Sequence, residues 1–256
     1  MNAKKERIDK ILVDRGLTHS RERARALIMA GQVVVADHKV EKPGHMVPVD
    51  ADVRIKGEMM PFVSRGGLKL QKALDEFNID VAGLVALDVG ASTGGFTDCL
   101  LQRGARKVFA VDVGYGQLAW KLRQDERVVS LEKTNIRHLT ADRLPDVPDI
   151  AVIDASFISL AKVLPSTLAL LRDGGAIIAL IKPQFEVGPG QVGKGGVVRD
   201  AEKQKEVVAA VSAAAENMGL VVKGVTESPL LGAKGNREFL IILEKATGKT
   251  GVKAED

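Results

Sequence analysis

The chain has 256 residues, 45% of them hydrophobic, and a formal net charge of +4 at pH 7. This composition is typical of a folded protein with one large core and room for a small second domain, which argues against disorder. No apolar run approaches the roughly 18 residues of a membrane span, and the N-terminus lacks the apolar core of a signal peptide, so we expect a cytoplasmic protein. One cysteine, Cys99, and four scattered histidines predict no disulfide and no structural metal.

The first 60 residues predict a small, basic α+β domain. They hold twelve Lys and Arg against nine Asp and Glu, so most of the net positive charge lies in this quarter of the chain. Two apolar stripes with helical spacing end at Gly16 and Gly31 and predict two short helices. The predicted strands and turns that follow lie at 33–35, Asp37-His38, Pro43-Gly44 and 53–55.

Arginines on the second helix are the candidate RNA-binding residues of this domain. Arg21 and Arg25 lie one turn apart on one face, whereas Arg23 lies elsewhere on the helix. A charge run of this kind is usually a solvated helix face, but the local excess of positive charge favours binding of RNA or another polyanion.

The stretch from Arg7 to Val35, RIDKILVDRGLTHSRERARALIMAGQVVV, resembles the small RNA-binding domain named after the fourth protein of the small ribosomal subunit. The helix start at Ser20-Arg21 is part of that resemblance. It implies that residues 1–60 form an RNA-binding domain, with 58–62 as the connection to a second domain. Where such domains often have a Val-x-Val-Asn-Gly turn, this chain continues with Ala36, Asp37 and His38.

A glycine-rich turn with an acidic residue organises the rest of the chain. Residues 85–96 read VALDVGASTGGF, in which an apolar run passes directly into the turn. Glycines permit positive φ and close approach of a ligand, and free amide N–H groups are left at the start of the following helix. No lysine follows the turn as in a P-loop, which argues against a nucleoside triphosphate. Asp112 stands near the spacing of about 20 residues expected for a ribose-binding acid, which favours an adenosine-containing cofactor.

Apolar strands alternate with helical patterns from residue 85 onward, which predicts a mostly parallel, doubly wound α/β sheet. The predicted segments are 85–89, 95–102, 107–111, 117–123, 128–131, 149–154, 159–171, 176–181, 202–218, 220–225 and 239–243. Ligands of such sheets bind at the carboxyl ends of the strands. We therefore expect four residues that follow or end predicted strands to meet at one crevice: Gly90, Asp112, Asp154 and Lys182.

Opposite charges stand at the ends of two predicted buried strands. Asp154 ends one strand and Lys182 follows the next. Either charge alone would be interpreted as a solvated strand end, but the pair beside a cofactor turn indicates function. For Lys69 and Glu238, the sequence pattern does not decide whether the side chain faces the crevice or the solvent.

The region from Pro61 to Lys245 resembles the TlyA, or hemolysin A, family of S-adenosylmethionine-dependent ribose methyltransferases that act on ribosomal RNA. The matching segments are 62–70 (FVSRGGLKL), 88–96 (DVGASTGGF), 111–114 (VDVG), 153–157 (IDASF), 181–186 (IKPQFE) and 235–238 (GNRE). Phe62 departs from the tyrosine of many members. The resemblance implies a Rossmann-like class I methyltransferase domain over 61–256, S-adenosylmethionine as cofactor, ribosomal RNA or ribosomal subunits as partner, and 2′-O-methylation of a cytidine ribose.

Site residues are also implied by the resemblance. The Lys-Asp-Lys-Glu tetrad of ribose methyltransferases falls on Lys69, Asp154, Lys182 and Glu238. The expected cofactor-binding residues are Asp88, Gly90, Ser92, Gly94, Gly95, Phe96, Asp112, Asn135 and Asp154. The expected RNA-binding residues are Arg7, Arg21, Arg23, Arg25, Arg65 and Lys194. No metal is expected.

Two questions about the chemistry stay open on the sequence. Lys182 could act as a neutral base, or it could stay charged and orient the ribose hydroxyl. The glycine-rich segment 188–196 could be a lid over the substrate or an ordinary long connection.

Three other functions were weighed against methylation of RNA. A non-catalytic RNA-binding protein is disfavoured by the complete tetrad. A small-molecule methyltransferase would have little use for an arginine-bearing helix. A cytolysin, which the family's older name suggests, would need a membrane span, a long amphipathic stretch or an export signal, and we find none in the sequence.

Overall fold

The computed structural model describes residues 5–36, 38–56, 61–188, 191–193 and 195–247. The chain divides into two compact units, Met1–Met60 and Pro61–Asp256. Among the described residues, none of the helices combines the length and the apolar character needed to cross a membrane.

The first unit is a small α+β domain with two helices and five short strands in its described part. The elements are β1 Lys5–Arg7, α1 Ile8–Asp14, α2 Arg21–Met29, β2 Val33–Val35, β3 His38–Val40, β4 Met46–Pro48 and β5 Val53–Ile55. β2 is the central strand of an antiparallel sheet in the order β3-β2-β5, and β1 pairs with β4. Ile8, Leu12 and Ile28 are fully buried and join both helices to β2 in one core.

Local sequence signals explain part of this unit. The predicted helix start is found, because Ser20 caps α2 by accepting a hydrogen bond from the Arg23 N–H. The turn predicted at Asp37-His38 is wrong at His38, which pairs with Val35 in a hairpin. Ala36 takes the left-handed conformation there, at φ 46°, and Asp37 lies outside the described residues. The strands β1, β3 and β4 were not predicted, because each has at most one β-branched residue, whereas β2 has three and β5 has two.

The second unit has a larger sheet with helices on both faces. Its elements are α3 Gly66–Glu76, β6 Val85–Val89, α4 Gly95–Gln102, β7 Lys107–Val111, α5 Trp120–Arg123, β8 Val128–Leu131, β9 Ile150–Ile153, α6 Leu160–Leu170, β10 Ala176–Ile181, α7 Pro183–Glu186, α8 Ala201–Asn217, β11 Leu220–Glu227 and β12 Phe239–Lys245. One core joins a sheet face to α6 and α8, and the other joins the opposite face to α3, α4 and α5.

The seven strands of this sheet follow the order β11-β12-β10-β9-β6-β7-β8. Only β12 runs antiparallel to its neighbours, β10 and β11. β9 and β10 are apolar along their whole length, and β6 is apolar except for the buried Asp88, as expected of parallel strands covered on both faces. The predicted mostly parallel, doubly wound α/β fold is confirmed.

Parallel pairing brings four strand ends to one edge of the sheet. β6 pairs with β7 and β9, and β9 pairs with β10, all in parallel. Gly90, Asp112, Asp154 and Lys182 each come directly after one of these strands. The expected crevice therefore forms at this edge.

Loops account for the main differences from the predicted elements of the second unit. The helix predicted over 117–123 begins only at Trp120, because hydrogen bonds to other segments hold the preceding loop. Ala119 N–H donates to the Thr93 carbonyl at 3.1 Å, and Gly116 N–H donates to Glu132 Oε1 at 3.0 Å. The short helix α7 was not predicted. In the glycine-rich segment 188–196, Gly193 forms an isolated bridge with Val197, and positions 189, 190 and 194 lie outside the described residues.

Candidate active site

Two adjoining cavities open at the carboxyl edge of the large sheet. One, of about 540 Å³, is lined by the four tetrad residues and is called the tetrad cavity below. The other, of about 450 Å³, lies beside the residues that follow β7 and is called the β7 cavity. The residues that line both cavities are Gly90, Ser92, Asp154, Ser156 and Phe157. A ligand in one cavity would therefore face a ligand in the other.

Lys182 and Asp154 form an ion pair at the wall of the tetrad cavity. Lys182 Nζ lies 2.5 Å from Asp154 Oδ1 and donates a hydrogen bond to Ser156 Oγ at 2.9 Å. The Lys182 side chain is 9% exposed and that of Asp154 is 25% exposed. Their closeness follows from the parallel register of β9 and β10, which places the two strand ends side by side.

Lys69 and Glu238 form a second ion pair in the same cavity. Lys69 Nζ donates to Glu238 Oε2 at 2.6 Å, and the Glu238 side chain is 3% exposed. Lys69 lies on α3 and Glu238 directly before β12, so the pair joins distant parts of the unit. A Cβ on Gly232 would lie 1.8 Å from Glu238 Oε1, so only glycine fits beside this carboxylate. The sequence pattern did not decide where either side chain points, and in the structure both residues line the cavity.

The tetrad thus places two cations and two anions at one cavity, and Arg65 adds a third cation to its lining. An ammonium has three N–H donors. Lys182 Nζ directs one of them to Ser156, and Asp154 keeps the ammonium in place. A remaining N–H of Lys182 can donate to a hydroxyl oxygen in the cavity. This arrangement is able to orient a hydroxyl and to stabilise negative charge that develops on its oxygen.

The glycine turn has the positive φ that the sequence predicts, and it packs closely on the backbone that follows β9. Gly90 has φ +85°, and a Cβ on it would lie 2.8 Å from the carbonyl oxygen of Asp154. A side chain here would push into the backbone of Asp154. Gly95 is equally constrained, because its Cβ would lie 2.2 Å from Ser64 Oγ. Both glycines line the tetrad cavity.

Asp112 fixes the two loops that frame the β7 cavity. Its Oδ2 accepts a hydrogen bond from Ser92 N–H and its Oδ1 accepts one from Gly114 N–H, both at 2.7 Å. Asn135 lines the same cavity, and its Oδ1 accepts from Arg137 N–H at 3.1 Å. The remaining lining is largely apolar: Val89, Val111, Val113, Ile136, Ala155, Ile158 and Val163. An apolar slot edged by two carboxylates, Asp112 and Asp154, and two amides, Gln117 and Asn135, suits the ring and ribose of an adenosine.

Seven of the nine expected cofactor-binding residues line one of the two cavities: Gly90, Ser92, Gly95, Phe96, Asp112, Asn135 and Asp154. Asp88 and Gly94 lie behind the turn instead. Asp88 is fully buried and accepts a hydrogen bond from Thr97 Oγ1 at 2.6 Å, and its burial raises the pKa of its carboxyl to about 7. Gly94 has φ 95°, and a Cβ on it would meet Leu122 at 2.2 Å. These two residues shape the turn.

Phe157 places an exposed aromatic ring at the site. Its side chain is 90% exposed at the boundary of the two cavities, and its backbone takes a positive φ of 63°. The ring contacts that of Phe185 with centroids 5.0 Å apart. An apolar ring held open to solvent at a site is suited to contact a ligand.

Glu186 connects the two segments that carry the Asp154–Lys182 pair, a role that sequence reasoning missed. Its carboxylate accepts from Ser159 Oγ at 2.6 Å and from Leu160 N–H at 2.9 Å, at the start of α6. The contact depends on the one-turn helix α7. The sequence signal for α7 is Pro183, which stands at the first position of that helix.

Replacing Glu186 with alanine is expected to lower the free energy of unfolding by about 1–3 kcal/mol, because two donors at the start of α6 lose their acceptor. Glu186→Gln keeps one acceptor oxygen and should lose less. The measurement is urea denaturation of both variants beside Glu216→Ala, which removes an exposed glutamate of the same unit. Equal stability of Glu186→Ala and the parent chain would contradict this role.

The expected RNA-binding residues fall into three groups. Arg7, Arg21 and Arg25 converge on the carboxylate of Asp9 in the first unit. Arg23 is exposed on α2, and Arg65 lines the tetrad cavity. Lys194 lies outside the described residues. Their role in RNA binding stays a prediction.

Comparisons with known proteins agree with this geometry. A family model described as FtsJ-like methyltransferase matches residues 62–245, and one described as S4 domain matches residues 6–53. The chain is 48% identical over 248 residues to the 16S/23S rRNA (cytidine-2'-O)-methyltransferase TlyA of Mycobacterium tuberculosis (strain CDC 1551 / Oshkosh), covering 96% of this chain and 92% of the relative. It is 41% identical to Hemolysin A of Brachyspira hyodysenteriae, covering 91% and 98%.

A solved structure, named as a hemolysin from Streptococcus thermophilus, superimposes with a TM-score of 0.74 at 47% identity, covering 94% of this chain and 89% of that one. These matches run across both units and confirm the predicted family. The chain belongs to the FtsJ-like methyltransferases, as a member of their TlyA group that carries an S4 domain.

Proposed function

We propose that this protein transfers a methyl group from S-adenosylmethionine to the 2′-oxygen of a cytidine ribose in ribosomal RNA. The observation that carries the proposal is the placement of Lys69, Asp154, Lys182 and Glu238 around one cavity that adjoins a second, adenosine-sized cavity. The relative from Mycobacterium tuberculosis, named for this reaction on 16S and 23S rRNA, supports the choice of substrate.

The residues of the β7 cavity fit the cofactor. Asp112 would hold the ribose hydroxyls and Asn135 would contact the adenine. Gly90 allows the turn beside them to pack on the backbone of Asp154, which a side chain would prevent. When bound, S-adenosylmethionine supplies a methyl group already activated on a sulfonium sulfur. The protein therefore needs chiefly to position the accepting hydroxyl and to stabilise the charge that develops on it.

Lys182 acts on the hydroxyl as a charged donor in this proposal. Lys182 Nζ lies 2.5 Å from the Asp154 carboxylate and donates to Ser156 Oγ, and a side chain held in this way as a hydrogen-bond donor supports the orienting role over the neutral base. Lys182 donates to the 2′-oxygen and stabilises its developing negative charge. The hydroxyl proton would pass to water as the 2′-oxygen bonds to the methyl carbon, so the charge that develops on this oxygen is negative. The bond between that carbon and the sulfonium sulfur would break, and the sulfur would leave as a neutral thioether.

Lys69 and Glu238 hold the other side of the ribose. Their ion pair at 2.6 Å is fixed beside Gly232 in the tetrad cavity. Glu238 accepts one of the three N–H donors of the Lys69 ammonium. The other two can donate to the 3′-hydroxyl oxygen or to the phosphate next to it.

Phe157 is the platform for the base of the target nucleotide. Phe157→Ala is expected to lower kcat/KM for ribosomal subunits by roughly 5- to 150-fold, because stacking of a base on an aromatic ring contributes about 1–3 kcal/mol. Phe157→Tyr keeps the ring and should stay within about threefold of the parent chain. The measurement is methyl transfer at subsaturating substrate, with thermal unfolding as the check on folding. If Phe157→Ala has the same kcat/KM as the parent chain, Phe157 does not stack on the base of the target nucleotide.

The test of the proposed function uses S-adenosylmethionine labelled in its methyl group, with purified small and large ribosomal subunits as substrates. Digestion of the RNA to nucleosides should yield label in 2′-O-methylcytidine. Label in a base would point to a different methyltransferase reaction. Binding of subunits without any transfer would favour the non-catalytic RNA-binding protein.

A further inference from the structure

Three arginines of the first unit share one buried carboxylate. Arg7 donates to Asp9 through Nε at 3.0 Å and Nη2 at 2.9 Å, Arg21 through Nη2 at 3.1 Å, and Arg25 through Nε at 3.4 Å. The Asp9 side chain is 0% exposed, whereas those of the arginines are 43%, 47% and 51% exposed. Asp9 is thus covered while each guanidinium keeps a face open to solvent.

Separate elements bring these groups together. Arg7 ends β1, Asp9 lies in the first turn of α1, and Arg21 and Arg25 lie one turn apart on α2. The Arg7 guanidinium also lies over Gly44, where a Cβ would be 3.7 Å from its Nη1 and Nη2. The hydrogen bond with Arg7 holds the pKa of the Asp9 carboxyl far below its usual range, so Asp9 is an anion in the folded protein.

Charge and donor counts favour an anionic ligand for this cluster. Three guanidiniums against one carboxylate leave two positive charges. Each guanidinium has five N–H donors in a fixed plane, and Asp9 accepts two from Arg7 and one from each of the others. The remaining donors can bind phosphate oxygens in pairs. Two successive phosphates of an RNA strand carry the charge that the cluster lacks.

We infer that Asp9 is a positioning residue, which holds Arg7, Arg21 and Arg25 as a preformed clamp for two neighbouring phosphates of RNA. The inference rests on the proposed function, because it takes RNA as the partner. Asp9 is buried and does not touch the RNA itself. It lowers the net positive charge of the surface, yet it raises affinity for a structured site, because the three flexible side chains are ordered before binding.

These two effects have opposite signs, which makes the inference testable. Asp9→Asn adds one positive charge to the chain and removes the anchor. A surface that attracts RNA only by net charge would bind more tightly after this change. If Asp9 preforms the clamp, the Asp9→Asn variant would bind ribosomal subunits more weakly than the parent chain. Its binding of an unstructured polyuridine strand would stay equal or increase.

The experiment measures binding of the full chain to ribosomal subunits and to polyuridine over a range of salt concentrations. For Asp9→Asn we expect roughly tenfold weaker binding of subunits and no weakening for polyuridine. If Asp9→Asn binds subunits as tightly as the parent chain, or more tightly, the inference is overturned. If the parent chain itself binds neither subunits nor RNA, the proposed function fails along with the inference.

A second set of variants covers the case in which Asp9→Asn does not fold. Arg7→Lys and Arg25→Lys keep the charge but lose the planar fork, so each should weaken subunit binding by about three- to tenfold. Arg15→Lys is the matched control, since Arg15 donates to the carbonyls of Val49 and Ala51 and not to Asp9. Equal binding by Arg7→Lys, Arg25→Lys and Arg15→Lys would also overturn the inference.

Discussion

Replacement of Lys182 by alanine is expected to lower the rate of methyl transfer by about a hundred- to a thousandfold, the usual cost of removing one donor that stabilises developing charge. Lys182 lines the tetrad cavity and not the β7 cavity, so affinity for S-adenosylmethionine should change little. The loss is increased by Asp154, whose partly buried carboxylate is left without its cation. Lys182→Arg keeps the charge but cannot place it at the same point, so we expect it to recover only part of the rate.

Single-turnover transfer to ribosomal subunits at saturating cofactor measures this effect without contributions from product release. Lys162→Ala, an exposed lysine on α6, is the matched control and should retain the full rate. Calorimetric titration with S-adenosylmethionine checks that cofactor binding is preserved. An unchanged rate in Lys182→Ala would remove this residue from the mechanism.

Replacement of Gly90 by alanine is expected to weaken binding of S-adenosylmethionine by at least about tenfold and to slow transfer as well. The backbone at φ +85° costs roughly 1–2 kcal/mol for a residue with a side chain. The added Cβ would also lie 2.8 Å from the carbonyl oxygen of Asp154, so the turn or the end of β9 must shift. Gly90 borders both cavities, and a shift there moves the cofactor and the acceptor apart.

The matched control for this variant is Gly83→Ala. Gly83 has φ +74° but no atom within 4 Å of an added Cβ, so it carries the backbone cost without the clash. Both variants should lose stability in urea denaturation, Gly90→Ala more because of the added clash, whereas only Gly90→Ala should lose cofactor affinity in calorimetric titration. Equal affinity of the two variants for S-adenosylmethionine would show that the close approach at Gly90 does not matter for the cofactor.

The part of the site that follows strand ends could be predicted from the sequence. Each apolar run can be recognised from its own residues, and these runs end at Gly90, Asp112, Asp154 and Lys182. Parallel sheets bring such strand ends to one edge. The resemblance to a known family supplied the tetrad. The pattern alone did not give the Lys69–Glu238 pair, because the two residues are 169 positions apart and no local pattern indicates that α3 and the start of β12 meet.

Other features escaped the sequence because they depend on tertiary contacts between short segments. Glu186 reaches the start of α6 only because α7 turns the chain after β10. Asp88 was expected at the cofactor, but the sequence could not tell that its side chain points to Thr97 behind the turn. The convergence of three arginines on Asp9 likewise needs the packing of α1 against α2, which periodicity does not specify.

The central claim is that the tetrad delivers a methyl group to a ribose of ribosomal RNA, and mapping of ribose 2′-O-methylation in ribosomal RNA tests it most directly. The map should be compared between cells that make this protein, cells that lack it, and cells that make only the Lys182→Ala variant. The account predicts one or more cytidines that are 2′-O-methylated in the first cells and unmethylated in the other two. Identical maps in all three would contradict it.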